Sequence, residues 1–345
     1  MKIIQRIKAF DKLGSHIDTI LKTDNDVYKS ICNQAYLKNN WFTKDNIDSA
    51  LHAWCRELTA SRLHKWIDGY DLEKVTERKV GVINAGNIPL VGFHDMLSVL
   101  LSGHLYFGKN ASDDNLLLPY ITTLLMEVEP AFKSRIHFVD RLTEFDAVIA
   151  TGSNNSARYF ESYFGKVPHI IRKNRNGVGV LTGKESKEDL EKMGRDIFQY
   201  FGLGCRNVSK IYVPEGTIFD PFFEAMFSFN GIMQHSKYMN NFDYNNAMLL
   251  MKLIPFLQNG FLIIHEDERI PSPISVVHYE KYKDQKDLIN KLDTAENQIQ
   301  CLVVKEKLEL KSDLKNRQFN FGEGQSPALN DYADGVDSLQ FLSSI

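Results

Sequence analysis

Four short pieces of this chain carry side chains that could do chemistry, and they come in a definite order. Asn87 sits in INAGNIPLVG, Lys109 and Ser112 in LYFGKNAS, Gly152 and Ser153 in DAVIATGS, and Cys205 in FGLGCRNVSK. A cysteine on a loop between a helical pattern and the strand-like run KIYVP suits a nucleophile that attacks carbonyl carbon. It equally suits a small packed thiol, since free cysteine is among the most buried residue types. An asparagine amide can donate to the tetrahedral oxygen formed in such an attack, and asparagine also favours the turn before Pro89. Lys109 closes an apolar run and offers positive charge, either to a ligand or to solvent. A Gly-Ser pair opening a helix invites an anion, and Ser153 doubles as a helix cap.

Those residues need rigid elements to hold them. Up to about Arg78 the pattern is helical. In TKDNIDSALHAWCRELT the apolar residues Ile47, Ala50, Leu51, Trp54 and Leu58 recur at helical spacing behind Thr43, an N-cap candidate. Cys55 in this helix reads as core. From Lys79 onward short apolar runs alternate with longer helical patterns: KVGVIN, GFHDMLSVLLSG, LYFGK, NLLLPYITTLLMEVEP, RIHFVD, DAVIATGS, NSARYFESYFG and GVGVLTG. That alternation is the mark of βαβ units and a mostly parallel sheet. Ligands on such sheets sit at the carboxyl ends of the strands. Those ends here read NAGNIP, GKNASDD and TGSNNSA. A second α/β segment follows, with Ser186 capping SKEDLEKMGRDIFQYFG and strands expected at KIYVP, GFLIIH, PISVVHY and IQCLVV, the last holding Cys301 in the core.

Composition narrows the function classes. The chain has 345 residues, 43% hydrophobic, with a formal net charge of −3. Nothing in that balance calls for nucleic acid or an anionic membrane. Four scattered cysteines without CxxC spacing argue against a disulfide framework and against zinc. The histidines show neither HxxxH nor HxH, so no metal is expected. No apolar run is long enough to span a bilayer, and no secretory leader is evident, so a cytoplasmic protein is expected.

A dinucleotide-binding sheet usually announces itself with GxGxxG after its first strand, and INAGNIPLVG does not fit. The four pieces together, however, resemble the aldehyde dehydrogenase superfamily. They are most similar to its acyl-CoA reductase branch, whose type is the fatty acyl reductase of bacterial luminescence. NIPL is similar to that family's Asn-Phe-Pro motif, LSGHLYFGKNAS to its Ala-Gly-Asn…Lys-Pro-Ser-Glu motif, DAVIATGS to its Phe-Thr-Gly-Ser segment, and GLGCRNVSKIYVP to its cysteine segment. The likeness runs from about Val80 onward.

The resemblance implies two Rossmann-like α/β domains behind an N-terminal helical segment. Residues 1–173 would hold the helices and the dinucleotide-binding domain, 174–315 the catalytic cysteine domain, and 316–345 a tail packing back on the body. It implies Cys205 as nucleophile and Asn87 as oxyanion donor. Asn84, Gly86, Lys109, Ser112, Gly152 and Ser153 would then line the cofactor. The family's NAD-using members carry a glutamate where this chain has Ser112, which favours NADPH, because no carboxylate repels a 2′-phosphate. The family's water-activating glutamate is also missing, its segment reading IIRKNRNG around Arg172. A protected acyl-enzyme suits reduction by hydride, so the expected activity is NADPH-dependent reduction of an acyl thioester, acyl-CoA or another, to an aldehyde. The alternatives are an aldehyde dehydrogenase working toward the acid and a non-catalytic dinucleotide-binding protein of the same fold. In DERIPSP either Glu268 or Arg269 would stand at the nicotinamide ribose. A homodimer is the assembly left open.

Overall fold

The computed structural model describes every residue from 1 to 345 except Ser153, and for Asn154 the backbone only. The chain divides into two compact units, Met1–Lys173 with Ala328–Ile345, and Asn174–Pro327.

The first unit opens with four helices, α1 (Ile3–Lys22), α2 (Asp26–Lys38), α3 (Lys44–Glu57) and α4 (Ala60–Ile67). Ile7, Phe10, Leu13 and Ile17 line the buried face of α1 at helical spacing. Thr43 caps α3 as expected, its hydroxyl accepting from the Asn46 amide at 3.3 Å. Five parallel strands follow: β1 (Lys79–Ile83), β2 (Leu105–Lys109), β3 (Ile136–Phe138), β4 (Ala147–Thr151) and β5 (His169–Arg172). Their order is β3-β2-β1-β4-β5. Helices α5 (Phe93–Ser102), α6 (Leu117–Val128) and α7 (Asn154–Phe164) make the crossovers. Nearly every residue of α5 is buried, as an almost continuously apolar helix requires. It stops at Gly103, whose φ of 102° is the left-handed cap that glycine supplies.

The second unit holds a seven-stranded sheet. Its elements are β6 (Asn176–Val180), α8 (Lys187–Phe198), β7 (Val208–Pro214), α9 (Asp220–Met226), α10 (Ser236–Met251), β8 (Leu257–Gln258), β9 (Ile263–Glu266), β10 (Val276–Tyr282), α11 (Gln285–Thr294), β11 (Ile299–Val303) and β12 (Gln318–Phe319). The order is β12-β11-β6-β7-β10-β9-β8, parallel except for β8 against β9. Ser186 and Asp189 form a reciprocal capping box on α8. Cys32 and Cys301 are buried, whereas Cys55 is only half-buried. The expected tail divides. Gln318 and Phe319 pair with Leu302 and Val303, so the chain leaves the second unit only at Ala328. Residues from Ala328 onward belong to the first unit and end in α12 (Ser338–Ser343).

That last helix is fastened by polar contacts. The His104 ring nitrogen Nε2 donates to the Leu342 carbonyl at 2.8 Å, and Leu339 and Leu342 are fully buried. Arg172, at the end of β5, donates to Ser338 Oγ at 3.0 Å and to Asp95 Oδ2 at 2.5 Å. Both charged side chains of that pair are 7% exposed. Removing one partner strands a buried charge, so Asp95→Ala should destabilise the chain by about 3–5 kcal/mol. Urea unfolding of the full chain measures it, and a loss under about 1 kcal/mol would mean water already reaches the pair.

Candidate active site

The carboxyl ends of β1 and β4 lie side by side where the strand order reverses. This is the position at which open parallel sheets take ligands. The loop after β1 begins at Asn84, whose backbone N–H donates to the Lys109 carbonyl at 2.9 Å. Its amide is buried and donates to Tyr106 Oη at 2.7 Å and to Asn110 Oδ1 at 2.8 Å. The side chain expected at the cofactor thus also braces the end of β1 to β2. Gly86 is required by close approach, because a Cβ there would lie 2.8 Å from the Ala111 Cβ. Asn87 is exposed beyond it. Leu90 then takes a left-handed φ of 59° and turns the chain toward α5.

At the end of β2, Lys109 is exposed and forms no ion pair among the described residues. Ser112 is also exposed, and its hydroxyl donates to Asp113 Oδ1 at 3.2 Å. A carboxylate thus stands beside the serine that was expected to mark its absence. Asp114 is buried, caps α6 through the Leu117 amide, and has its carboxyl pushed up to about 6 by burial. After β4, Gly152 lies against α7, where a Cβ would come within 2.9 Å of Ser156 and Phe160. Ser153 lies outside the described residues. Asn84, Gly86, Asn87, Lys109, Ser112 and Gly152 thus share one edge of the first unit's sheet. At the end of β5, where the resemblance expects a water-activating carboxylate, stands the Arg172 guanidinium locked onto Asp95.

Cys205 belongs to the second unit, half-buried on a turn between α8 and β7. Three successive residues before that turn, Tyr200, Phe201 and Gly202, are left-handed, with φ of 51°, 58° and 78°. For tyrosine and phenylalanine this stores strain that the surroundings must hold. Asn207 does much of the holding. Its Nδ2 donates to the carbonyls of Asp196 (2.9 Å) and Gln199 (2.8 Å), and its Oδ1 accepts from the Gly204 amide at 2.8 Å. Arg206 lies over the Phe319 ring, 4.4 Å from its centroid, and its Nε donates to the Gly324 carbonyl at 2.6 Å. Gly324 and Gly322 in turn donate their amides to the buried Asp196 carboxylate, at 2.9 and 2.6 Å. A rigid frame therefore surrounds the cysteine. The Cys301 thiol, fully buried near Arg206, is pushed up to about 11 by burial, and Cys55 likewise.

The loop after β9 settles into a polar cluster that spacing rules did not reveal. His278 on β10 stands in register with His265 on β9 and with Lys210 on β7. Lys210 is fully buried, with its ammonium on the Glu268 carbonyl (2.7 Å) and on the Glu280 carboxylate. Burial draws its ammonium below the usual lysine range. Arg269 turns back on Asp267, with Nη2 2.5 Å from Oδ2. Parallel register makes the cluster, and sequence spacing alone does not display register.

Burial pushes the Asp196 carboxyl up from 3.8 to about 7. The folded chain then binds this proton more tightly than the unfolded chain does. Its contribution to stability is full below pH 4 and is lost as pH rises through 7. Asp196→Asn should flatten that decline, read as urea midpoints from pH 5 to pH 8. A profile as steep as that of the original chain would remove Asp196 as the cause.

No protein-family model and no curated protein matches this sequence. Solved structures do match. Aldehyde dehydrogenase 21 from Physcomitrella patens is 13% identical with a TM-score of 0.69, covering 100% of this chain and 84% of that one. An NAD-dependent aldehyde dehydrogenase from Sinorhizobium meliloti is 11% identical with a TM-score of 0.66, over 93% and 74%. An aldehyde dehydrogenase from Bacillus cereus, solved with NAD+, is 14% identical with a TM-score of 0.62, over 88% and 72%. At such identities the likeness is one of architecture. The chain has the aldehyde dehydrogenase fold, with a helical N-terminal segment.

Proposed function

We propose that this chain reduces an acyl thioester, such as an acyl-CoA, to the aldehyde with NADPH, through an acyl group carried on Cys205. The observation that carries the reading is the cysteine turn: a half-buried thiol held by strained backbone and by Asn207. Such a frame suits a nucleophile better than packing, for which Cys32 and Cys301 are buried outright. The residues at the ends of β1, β2 and β4 fit a nicotinamide dinucleotide. Exposed Lys109, with no ion pair among the described residues, offers charge, and α7 begins at Asn154, two residues after Gly152. The matched Bacillus cereus enzyme holds NAD+.

In the proposed reaction the Cys205 thiolate adds to the thioester carbonyl, and the bond from that carbon to the CoA sulfur breaks. CoA leaves as a thiolate and takes up a proton. NADPH, when bound, supplies a hydride to the acyl carbon. The resulting thiohemiacetal collapses, the bond to Cys205 breaks, and the aldehyde leaves with the thiolate restored. Asn87 would donate its amide to the oxyanion in both additions. Arg172 supports reduction over hydrolysis, since a guanidinium fixed on Asp95 takes no proton from water.

Incubated with acyl-CoA and no NADPH, the chain should carry a long-lived acyl group on Cys205, located by intact mass and peptide mapping. Cys205→Ser should lose both the adduct and reduction, whereas alanine at Cys32, Cys55 or Cys301 singly should keep the adduct. Acylation elsewhere, or full activity in Cys205→Ser, would overturn the mechanism. Acid release from an aldehyde with NADP+ or NAD+, without acylation by acyl-CoA, would favour an oxidising enzyme. Absence of both points to a non-catalytic dinucleotide binder.

NADPH should bind more tightly than NADH, and Ser112→Glu should reverse that order by repelling the 2′-phosphate. Titration of both cofactors reads it. Asp113 is the counterweight beside Ser112. A preference for NADH that Asp113→Asn abolishes would assign the ribose to Asp113 and withdraw NADPH.

A further inference from the structure

His265 and Asp267 are two residues apart along β9 and its extension, so both project from the same face of the sheet. His278 is the cross-strand partner of His265, on that same face. The two rings meet edge to face, inclined at 69° with centroids 4.8 Å apart. Among the described residues, this is the place where three side chains able to ligate a metal converge, their ligand atoms all within 4.8 Å of one another.

The state of each group is readable from its neighbours. His278 Nδ1 lies 2.9 Å from the Arg269 carbonyl oxygen, which accepts only from an N–H. Its proton is therefore on Nδ1, and Nε2 carries the lone pair. That Nε2 is buried and has no hydrogen-bond partner among the described residues. His265 Nδ1 similarly faces the Glu266 carbonyl at 3.3 Å. A ring that gives one N–H to a backbone carbonyl and presents its other nitrogen inward is the usual arrangement of a metal-bound histidine. A cluster built only for packing would satisfy its buried nitrogen.

We propose that His265, Asp267 and His278 bind a divalent first-row cation, zinc foremost, through the two Nε2 atoms and an Asp267 carboxylate oxygen. Two imidazoles and a carboxylate are the donor set such ions take. Ligands on one zinc stand roughly 3–3.5 Å apart, so the three must close by about 1–2 Å. Asp267 Oδ1 is held by the Arg269 backbone N–H at 2.8 Å, whereas Oδ2 is held only by the exposed Arg269 guanidinium among the described residues, so Oδ2 is the oxygen free to close. Arg269 thus stands in for the cation, and binding exchanges it for the metal. The other cations nearby are engaged, Lys210 by Glu280 and the Glu268 carbonyl, Lys291 by Glu280 and Lys281 by Glu266. Nothing in this site depends on Cys205 or on acyl reduction.

The full chain, stripped with a chelator, is titrated with Zn2+ by calorimetry and with Co2+ by absorption. The expected result is one saturating ion with a nitrogen–oxygen Co2+ spectrum. His278→Gln should weaken Zn2+ binding by more than about 100-fold. Arg269→Gln, at an exposed position, should tighten it about two- to fivefold by freeing Asp267. No saturating ion in the original chain, a thiolate-to-Co2+ band, or binding undiminished in His278→Gln would each overturn the site. Should His278→Gln not fold, Arg269→Gln decides alone, and binding no tighter than in the original chain would overturn it.

Discussion

One guanidinium gathers three distant stretches of the first unit. Arg172 ends β5, Asp95 lies in the first turn of α5, and Ser338 opens α12. Taking two charges out of water is expensive, and their attraction repays it only when geometry is tight. The short contact to Asp95 and the second bond to Ser338 supply that geometry. Because α5 follows the Asn84–Leu90 loop directly, whatever fixes α5 also fixes where that loop leaves β1. A strand end, a helix start and the chain's last helix thus rest on one side chain.

The two candidate loops are held by a common device. Each places non-glycine residues in left-handed conformation, Leu90 in the first unit and Tyr200 with Phe201 in the second. Each is braced by a buried asparagine whose amide reaches neighbouring carbonyl or hydroxyl oxygens, Asn84 in one and Asn207 in the other. Strained backbone persists only where surrounding bonds over-determine it. Asparagine is suited to the task because it donates and accepts at once.

Much of the frame was legible because strands of a parallel sheet are short apolar runs ended by Gly, Asn or Ser. KVGVIN, LYFGK and DAVIATGS show this, and Ser186 announced its helix by its capping chemistry. The strand HIIR was not evident, being four residues with charged neighbours. Nor were the helices between Asp220 and Met251, where phenylalanine and asparagine blur the helical period. Within the site, residue type alone did not reveal that the Asn84 amide braces Tyr106 and Asn110, and it overlooked Asp113 beside Ser112. The convergence of His265 with His278 could not be read at all, because register between parallel strands leaves no mark in spacing.

The first unit is assembled from two pieces of chain separated by the whole of the second. A ribosome delivers Met1–Lys173, then all of Asn174–Pro327, and only then the residues that become α12. Leu339 and Leu342, fully buried against the first unit, arrive last. Until they do, the face of α5 and the His104 Nε2 that α12 covers stay exposed. The cysteine-bearing unit is complete in sequence before its predecessor can close. Vectorial synthesis thus inverts the order of maturation: the later-born unit is finished first, and the earlier waits for the last eighteen residues, Ala328–Ile345.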